Sequence, residues 1–198
     1  MNLLAHAYLS FNNESMLVGN MISDYVKGKK QFDYPLPVQA GIQLHRAIDE
    51  FTDTHDATQE IKKLFKPAYR LYAGAFVDVV YDYFLANDGN EFVTVESLQN
   101  FTQHTYHLLQ NNTVHFPEKF AKSFPYMQAQ DWLYNYRYDD GMQKSFGGLA
   151  RRAKYIAETE TAFNIFLNNK EIIRESYQIF FPQLKLFTIN KMEQLLQR

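Results

Sequence analysis

Apolar residues recur at helical spacing along almost the whole chain, and residues that stop helices are scarce, with 8 Gly and 6 Pro among 198. A 3.6-residue period sustained with so few breaks commits a chain to helices, and no alternating strand pattern competes with it. The expected fold is all-α, a single-domain helical bundle over residues 1–198, with no linker, repeat or low-complexity tract to divide it. Helices are predicted from about Asn2 to Ser10, from Glu14 to Lys27 with Gly28 as the stop, and from Pro37 to Phe51. Others are expected from Ala57 to Phe65, from Pro67 to the Asn87-Asp88-Gly89 stop, and from a Thr94 cap to Asn111. Breaks at Phe116-Pro117 and Phe124-Pro125 precede helices from Tyr126 to Tyr136, from Met142 to Ile156 and from Glu160 to the end, the last interrupted near Pro182.

What the chain lacks narrows what it can do. It has no cysteine, which excludes a disulfide scaffold and any Cys-ligated zinc or iron–sulfur site, so a metal would have to be held by His and carboxylate. Lys+Arg total 20 against 22 Asp+Glu, a net charge of -2 that carries no basic footprint for nucleic acid. No uncharged apolar run approaches the ~20 residues that span a bilayer, and the first residues lack a signal peptide's basic region. A cytoplasmic protein with neither a nucleic-acid nor a membrane partner is expected. The 14 Tyr and 17 Phe read first as core.

Polar residues on inward faces point to chemistry. At about 100° per residue, His45, Asp49 and Asp53 fall on the stripe shared by Val38 and Ile42. On the helix predicted to start at Pro67, Asp78 and Asp82 lie among Leu71, Ala75 and Leu85. Asp24 shares a face with Leu17, Asn20 and Met21, and His6 follows Asn2 by one turn. An unpaired buried carboxylate costs several kcal/mol, so five inward acids need donors, basic partners or a cation. The i, i+4 pairs His45/Asp49 and Asp78/Asp82 each put two ligands on one helical face, as metal sites in bundles do, and the donors suit Mn, Mg, Fe or Zn. Any one such pair taken alone is more often a solvated face, and His104, His107 and His115 read as exposed.

At these positions the sequence resembles the acyl carrier protein phosphodiesterase family, a divergent branch of the HD-domain metal-dependent phosphohydrolases. The segments that carry the resemblance are Met1 to His6, Gly19 to Asp24, Ala40 to Asp49 with Phe51 to His55, and Val77 to Leu85. Gln130-Asp131-Trp132-Leu133 and Gly148-Leu149-Ala150-Arg151-Arg152 match more loosely. The resemblance implies an HD-like helical bundle that hydrolyses the phosphodiester between 4'-phosphopantetheine and a serine of holo-acyl carrier protein, with a divalent metal, typically Mn2+, with Mg2+ or Fe2+ as alternatives. Carried over by motif, the metal neighbourhood is His6, Asp24, His45, Asp49 and Asp78 or Asp82. The dipeptide His55-Asp56 matches the HD signature literally, yet Asp56 reads better as the N-cap of the next helix.

In this reading Asp24 is the essential acid, Asp53 or Asp82 takes the proton of the attacking water, and Arg46 meets a non-bridging oxygen. Lys27, Lys29 and Lys30, or Arg151 and Arg152, would face an acidic carrier protein, and Tyr25, Tyr81 and Tyr83 could wall a channel for its arm. Two other readings stay open: an HD-like phosphohydrolase of nucleotides or small phosphate esters, and a non-catalytic helical binding module. The C-terminal helix, with Phe187, Ile189, Met192, Leu195 and Leu196, could pack on its own core or on a second subunit, so the oligomeric state is undetermined.

Overall fold

Two glycines let one helix pair meet backbone to backbone. Helix α2 (Glu14–Ile22) crosses α3 (Leu36–Thr54) with Gly19 against Gly41. A Cβ on Gly19 would stand 2.1 Å from the Val38 carbonyl oxygen, and one on Gly41 2.4 Å from that of Met16. Glycine in a helix interior costs about 0.5–1 kcal/mol relative to alanine, so two at one crossing mark a contact that no side chain could share. This contact brings the start of the 3-10 turn Ser23–Tyr25 under α3.

The computed structural model describes residues 1–197. Helix α1 (Leu3–Tyr8) rests on α2 and on α5 (Ala73–Ala86). Helix α4 (Asp56–Tyr69) pairs with α5, and the long α11 (Lys170–Leu196) lies along α3 and α4. Helices α6 (Val95–Asn111), α7 (Glu118–Ala129), α8 (Trp132–Asn135), α9 (Asp139–Arg152) and α10 (Glu160–Asn168) complete the bundle. One continuous core runs through it, and the aromatic surplus fills much of that core. Phe76 packs against Phe65, Tyr69 and Phe146, and Tyr81 stacks on Phe180 with ring centroids 4.9 Å apart. No strand occurs among the described residues, and no described helix is long and apolar enough to cross a membrane.

Prolines mislead most where the sequence alone is used to place breaks. Pro67 does not open a helix; it sits in the last turn of α4, and the chain turns through Arg70 at φ 49 before α5 begins at Ala73. Leu71, expected on an inward stripe, is therefore 98% exposed in the connecting 3-10 turn. Pro125 and Pro182 lie inside α7 and α11, where a helix break was expected. An interior proline costs about 3 kcal/mol. Burial of Phe120, Phe124 and Met127 beside the one, and of Phe180, Phe181 and Leu184 beside the other, offsets it. The break expected at Pro182 falls at Asn169 instead. Helix α2 ends at Ile22 rather than Lys27, and α3 runs past Phe51 to Thr54. In the C-terminal helix Phe187 stacks on Phe51 at 4.6 Å and Leu195 is buried, while Leu196 is exposed.

Candidate metal centre

Helices α1, α2 and α3 converge on a stacked pair of imidazoles. His6 and His45 lie with ring centroids 3.9 Å apart and planes 16° from parallel, both buried. Asn20 on α2 holds the two from behind. Its side-chain nitrogen donates to the His6 carbonyl oxygen at 2.8 Å and to Ser10 Oγ at 3.1 Å, which leaves its Oδ1 to accept from His6 Nδ1 at 2.8 Å. The Asn20 backbone carbonyl accepts from His45 Nδ1, also at 2.8 Å. Both rings thus use their Nδ1–H and turn Nε2 the same way.

Each Nε2 meets only oxygens. His6 Nε2 lies 3.2 Å from Asp49 Oδ1 and 3.2 Å from the Met1 carbonyl oxygen. His45 Nε2 lies 3.1 Å from Asp49 Oδ2 and 3.4 Å from Asp24 Oδ1. A neutral ring whose proton is on Nδ1 would set a lone pair against those oxygens, so a positive charge belongs between them. Protonating both stacked rings would place two like charges in contact. One ligand atom from each of His6, His45 and Asp49 lies within 4.8 Å of the others, a possible metal-binding group whose donor set fits a divalent cation.

The remaining acids divide. Asp24 is in the 3-10 turn after α2, not on an inward helical stripe, and its carboxylate is 72% exposed while facing His45. Asp78 Oδ1 accepts from the Met1 ammonium at 2.9 Å, and the same ammonium is 3.7 Å from Asp49. Asp82, expected beside the metal, is turned to another use. Its two oxygens accept the backbone N–H groups of Asn2, Leu4 and Ala5 at 3.2, 2.7 and 3.3 Å, so α5 caps the start of α1. Asp82→Ala should lower stability by about 2–4 kcal/mol, read by urea melts, because it leaves buried donors unpaired.

Three further expectations are corrected. Asp53 lies on the open side of α3, 64% exposed and paired with Lys62 Nζ at 2.7 Å, because the stripe it was assigned to turns outward before the helix ends. Arg46 neither faces the cluster nor pairs with Asp49 or Glu50; it donates to Gln31 Oε1 and the Val26 carbonyl oxygen. The cap of α4 is His55, whose Nδ1 accepts from Ala57 N–H at 3.2 Å, and Asp56 follows it as the first helical residue. Neither half of that literal His-Asp dipeptide reaches the imidazole pair.

Asp24, His45, Asp49 and Asp78 line a cavity of about 320 Å³, with Tyr25, Trp132 and Arg152 among its other walls. Tyr81 and Tyr83 are not in those walls: the Tyr81 hydroxyl is buried on Ser176 Oγ, and Tyr83 packs on Phe166. Asn20 and the Met1 ammonium were not singled out as site groups in the sequence. An amide buried on an apolar helix face, one residue after a mid-helix glycine, is the signal that could have found Asn20.

Electrostatics follow from this crowding. Burial and the neighbouring His45 push the His6 pKa down, whereas burial pushes Asp78 up to about 6 against the pull of the Met1 ammonium. The hydrogen bond to His45 holds Asp24 low. Asp49 is held far below the usual carboxylate range, since His6, His45 and the ammonium outweigh its burial. Burial also opposes charge on His45, yet hydrogen bonds to Asp24 and Asp49 raise its pKa to about 9. A folded-state pKa raised above 6.5 contributes stability that is complete below 6.5 and lost as pH rises through 9. Metal-free protein should therefore melt several degrees lower at about pH 9.5 than at about pH 6.5, and Asp49→Asn should flatten that dependence.

Fold and site together define an all-helical protein, among its described residues, with a possible His/His/Asp metal-binding group. The sequence profile of acyl carrier protein phosphodiesterase matches residues 1–184, and the chain belongs to that family. It is similar to proteins named acyl carrier protein phosphodiesterase from Photorhabdus laumondii, 32% identical over 191 residues and 96% of each chain, and from Yersinia pestis, 29% identical over 184 residues. The latter alignment covers 93% of this chain and 95% of the relative, as does one at 28% identity with the Escherichia coli O6:H1 protein of the same name. No solved structure matches this chain.

Proposed function

We propose that the chain hydrolyses the phosphodiester joining 4'-phosphopantetheine to a serine of holo-acyl carrier protein, releasing phosphopantetheine and the apo protein. The observation that carries the chemistry is the pair of Nε2 atoms converging on the two oxygens of Asp49, with both Nδ1 atoms tied to Asn20. His6, His45 and Asp49 would hold a divalent cation, with Asp24 beside them and Asp78 at the edge; Mn2+ is the first ion to test, then Mg2+ and Fe2+. Bound there, such an ion stabilises charge on phosphoryl oxygens and lowers the pKa of a water.

The chain's own groups supply the rest. Asp24 is ionised, exposed to the cavity and tied to His45 on one side only, so it is placed to accept the attacking water's proton. It takes the role first assigned to Asp53 or Asp82. Lys27, Lys29 and Lys30 are exposed directly after the Asp24 turn, where an acidic carrier protein would bring its serine to the cavity. The arrangement of two histidines and an acid on packed helices supports an HD-like reading of the bundle.

Incubation with Mn2+ and holo-acyl carrier protein should remove one phosphopantetheine from the carrier, seen by mass spectrometry, and leave apo carrier unchanged. An intact holo carrier, with turnover of a nucleotide panel instead, would overturn the reading. Because His45 is protonated below about pH 9 without metal, cation binding at neutral pH should release close to one proton. Calorimetry in buffers of different ionisation enthalpy measures that release, and a value near zero would show that the cation does not displace a proton from His45.

A further inference from the structure

A second cavity, of about 810 Å³, adjoins the one at the imidazole pair, and Asn2, Leu3, Tyr25, Trp132 and Arg152 line both. Its chemistry is unlike that of its neighbour. The smaller cavity is walled by Asp24, Asp49 and Asp78, whereas no Asp or Glu lines the larger one. Its polar lining combines amides and hydroxyls, among them Gln130, Asn135, Gln143 and Ser145, with three cations, Lys144, Arg151 and Arg152, and Tyr136 and Trp132 stand as flat walls. Such a surface suits an amide-bearing chain that ends in an anionic group: the N–H and C=O of the chain need polar partners when buried, and the anion meets cations with no acid beside them.

Two glycines keep this cavity open. Gly147 and Gly148 lie inside α9, where glycine weakens a helix. A Cβ on either would touch only the Arg151 guanidinium, at 3.7 and 3.8 Å, so no neighbour demands a missing side chain as at Gly19 and Gly41. Both residues line the cavity, and its volume is what their lack of side chains preserves. At the junction of the cavities, Arg152 has its Nε bound to the Gly148 carbonyl oxygen at 3.2 Å and forms no ion pair among the described residues. Among the described residues it is the only guanidinium in the wall of the smaller cavity, and it pairs with none of the three carboxylates there.

We infer that the larger cavity seats the pantetheine arm, held open by Gly147 and Gly148, with Arg152 meeting the phosphoryl group where the two cavities join. The inference rests on the proposed reaction for its ligand class, but the arm site can be tested without turnover. Trp132 is the chain's single tryptophan and stands in the wall of both cavities, so its fluorescence reports on this place alone.

Phosphopantetheine titrated into the full chain should change Trp132 emission saturably. Gly148→Leu, which fills the cavity while improving helix propensity, should weaken that binding at least about tenfold without lowering the melting temperature. Arg152→Gln should weaken phosphopantetheine at least about tenfold and leave pantetheine, which lacks the phosphate, within about twofold. With holo-carrier as substrate, Gly148→Leu should raise KM more than it lowers kcat. A wild-type chain that binds phosphopantetheine yet spares the holo carrier would sink the reaction and keep the arm site. Turnover of holo carrier with the same KM in Gly148→Leu, or no response of Trp132, would overturn the arm site and keep the reaction.

Discussion

Asp49→Asn lowers hydrolysis of holo-acyl carrier protein by at least about 10³-fold and abolishes divalent-cation retention, while circular dichroism stays helical. Among the described residues Asp49 is the one carboxylate in contact with both Nε2 atoms, and it also faces the Met1 ammonium. Asparagine keeps the shape and removes the charge, so the loss reads electrostatics rather than packing. The rate of phosphopantetheine release and elemental analysis of the purified protein measure the two effects. Retained cation at wild-type stoichiometry would remove Asp49 from the centre. Asp53→Asn serves as the companion: its carboxylate is on Lys62 at the exposed face of α3, so activity should stay within about twofold.

Gly41→Ala costs about 3 kcal/mol or more, at the upper end of overpacking, because the added methyl meets backbone rather than a side chain that could turn away. For a chain of this size that is a fall of about 6–12 °C in melting temperature, measured by calorimetry. The same change forces α2 from α3, and His45 loses the Asn20 carbonyl that fixes its ring. Cation affinity should then fall about 10–100-fold, the range seen when a ligand's outer hydrogen bond is removed. Gly89→Ala is the control, since nothing lies within 4 Å of a Cβ there, and it should shift stability by less than about 0.5 kcal/mol. A Gly41→Ala variant as stable as the control would show that the helix crossing is not limited by these glycines.

Much of this was legible in the residues. Helical spacing between sparse breakers predicted an all-α chain, and the imidazole and carboxylate on the Val38–Ile42 stripe pointed to His45 and Asp49, which do meet. Helical period misplaces residues wherever the helix starts later than its first breaker suggests. Pro67 suggested a helix start, the helix instead begins at Ala73, and Leu71 lies outside it. Period also does not distinguish one inward acid from another. Asp82 and Asp49 both carry a carboxylate on a buried-looking face, yet one binds backbone N–H groups of α1 and the other faces two imidazoles.

Period, composition and residue type act along one helix at a time, and they determined the helical class, the absence of thiol ligands and the set of His and Asp available. Which of these share a site depends on distances between helices that are far apart in sequence. The α2–α3 crossing at Gly19 and Gly41 sets those distances, placing Asn20 behind both rings and stacking His6 on His45. Tertiary structure alone sent Asp53 and Arg46 outward, gave Asp82 to the start of α1 and opened a cavity free of acids beside the centre. Such assignments turn on a few ångströms between backbones, which no one-dimensional pattern encodes.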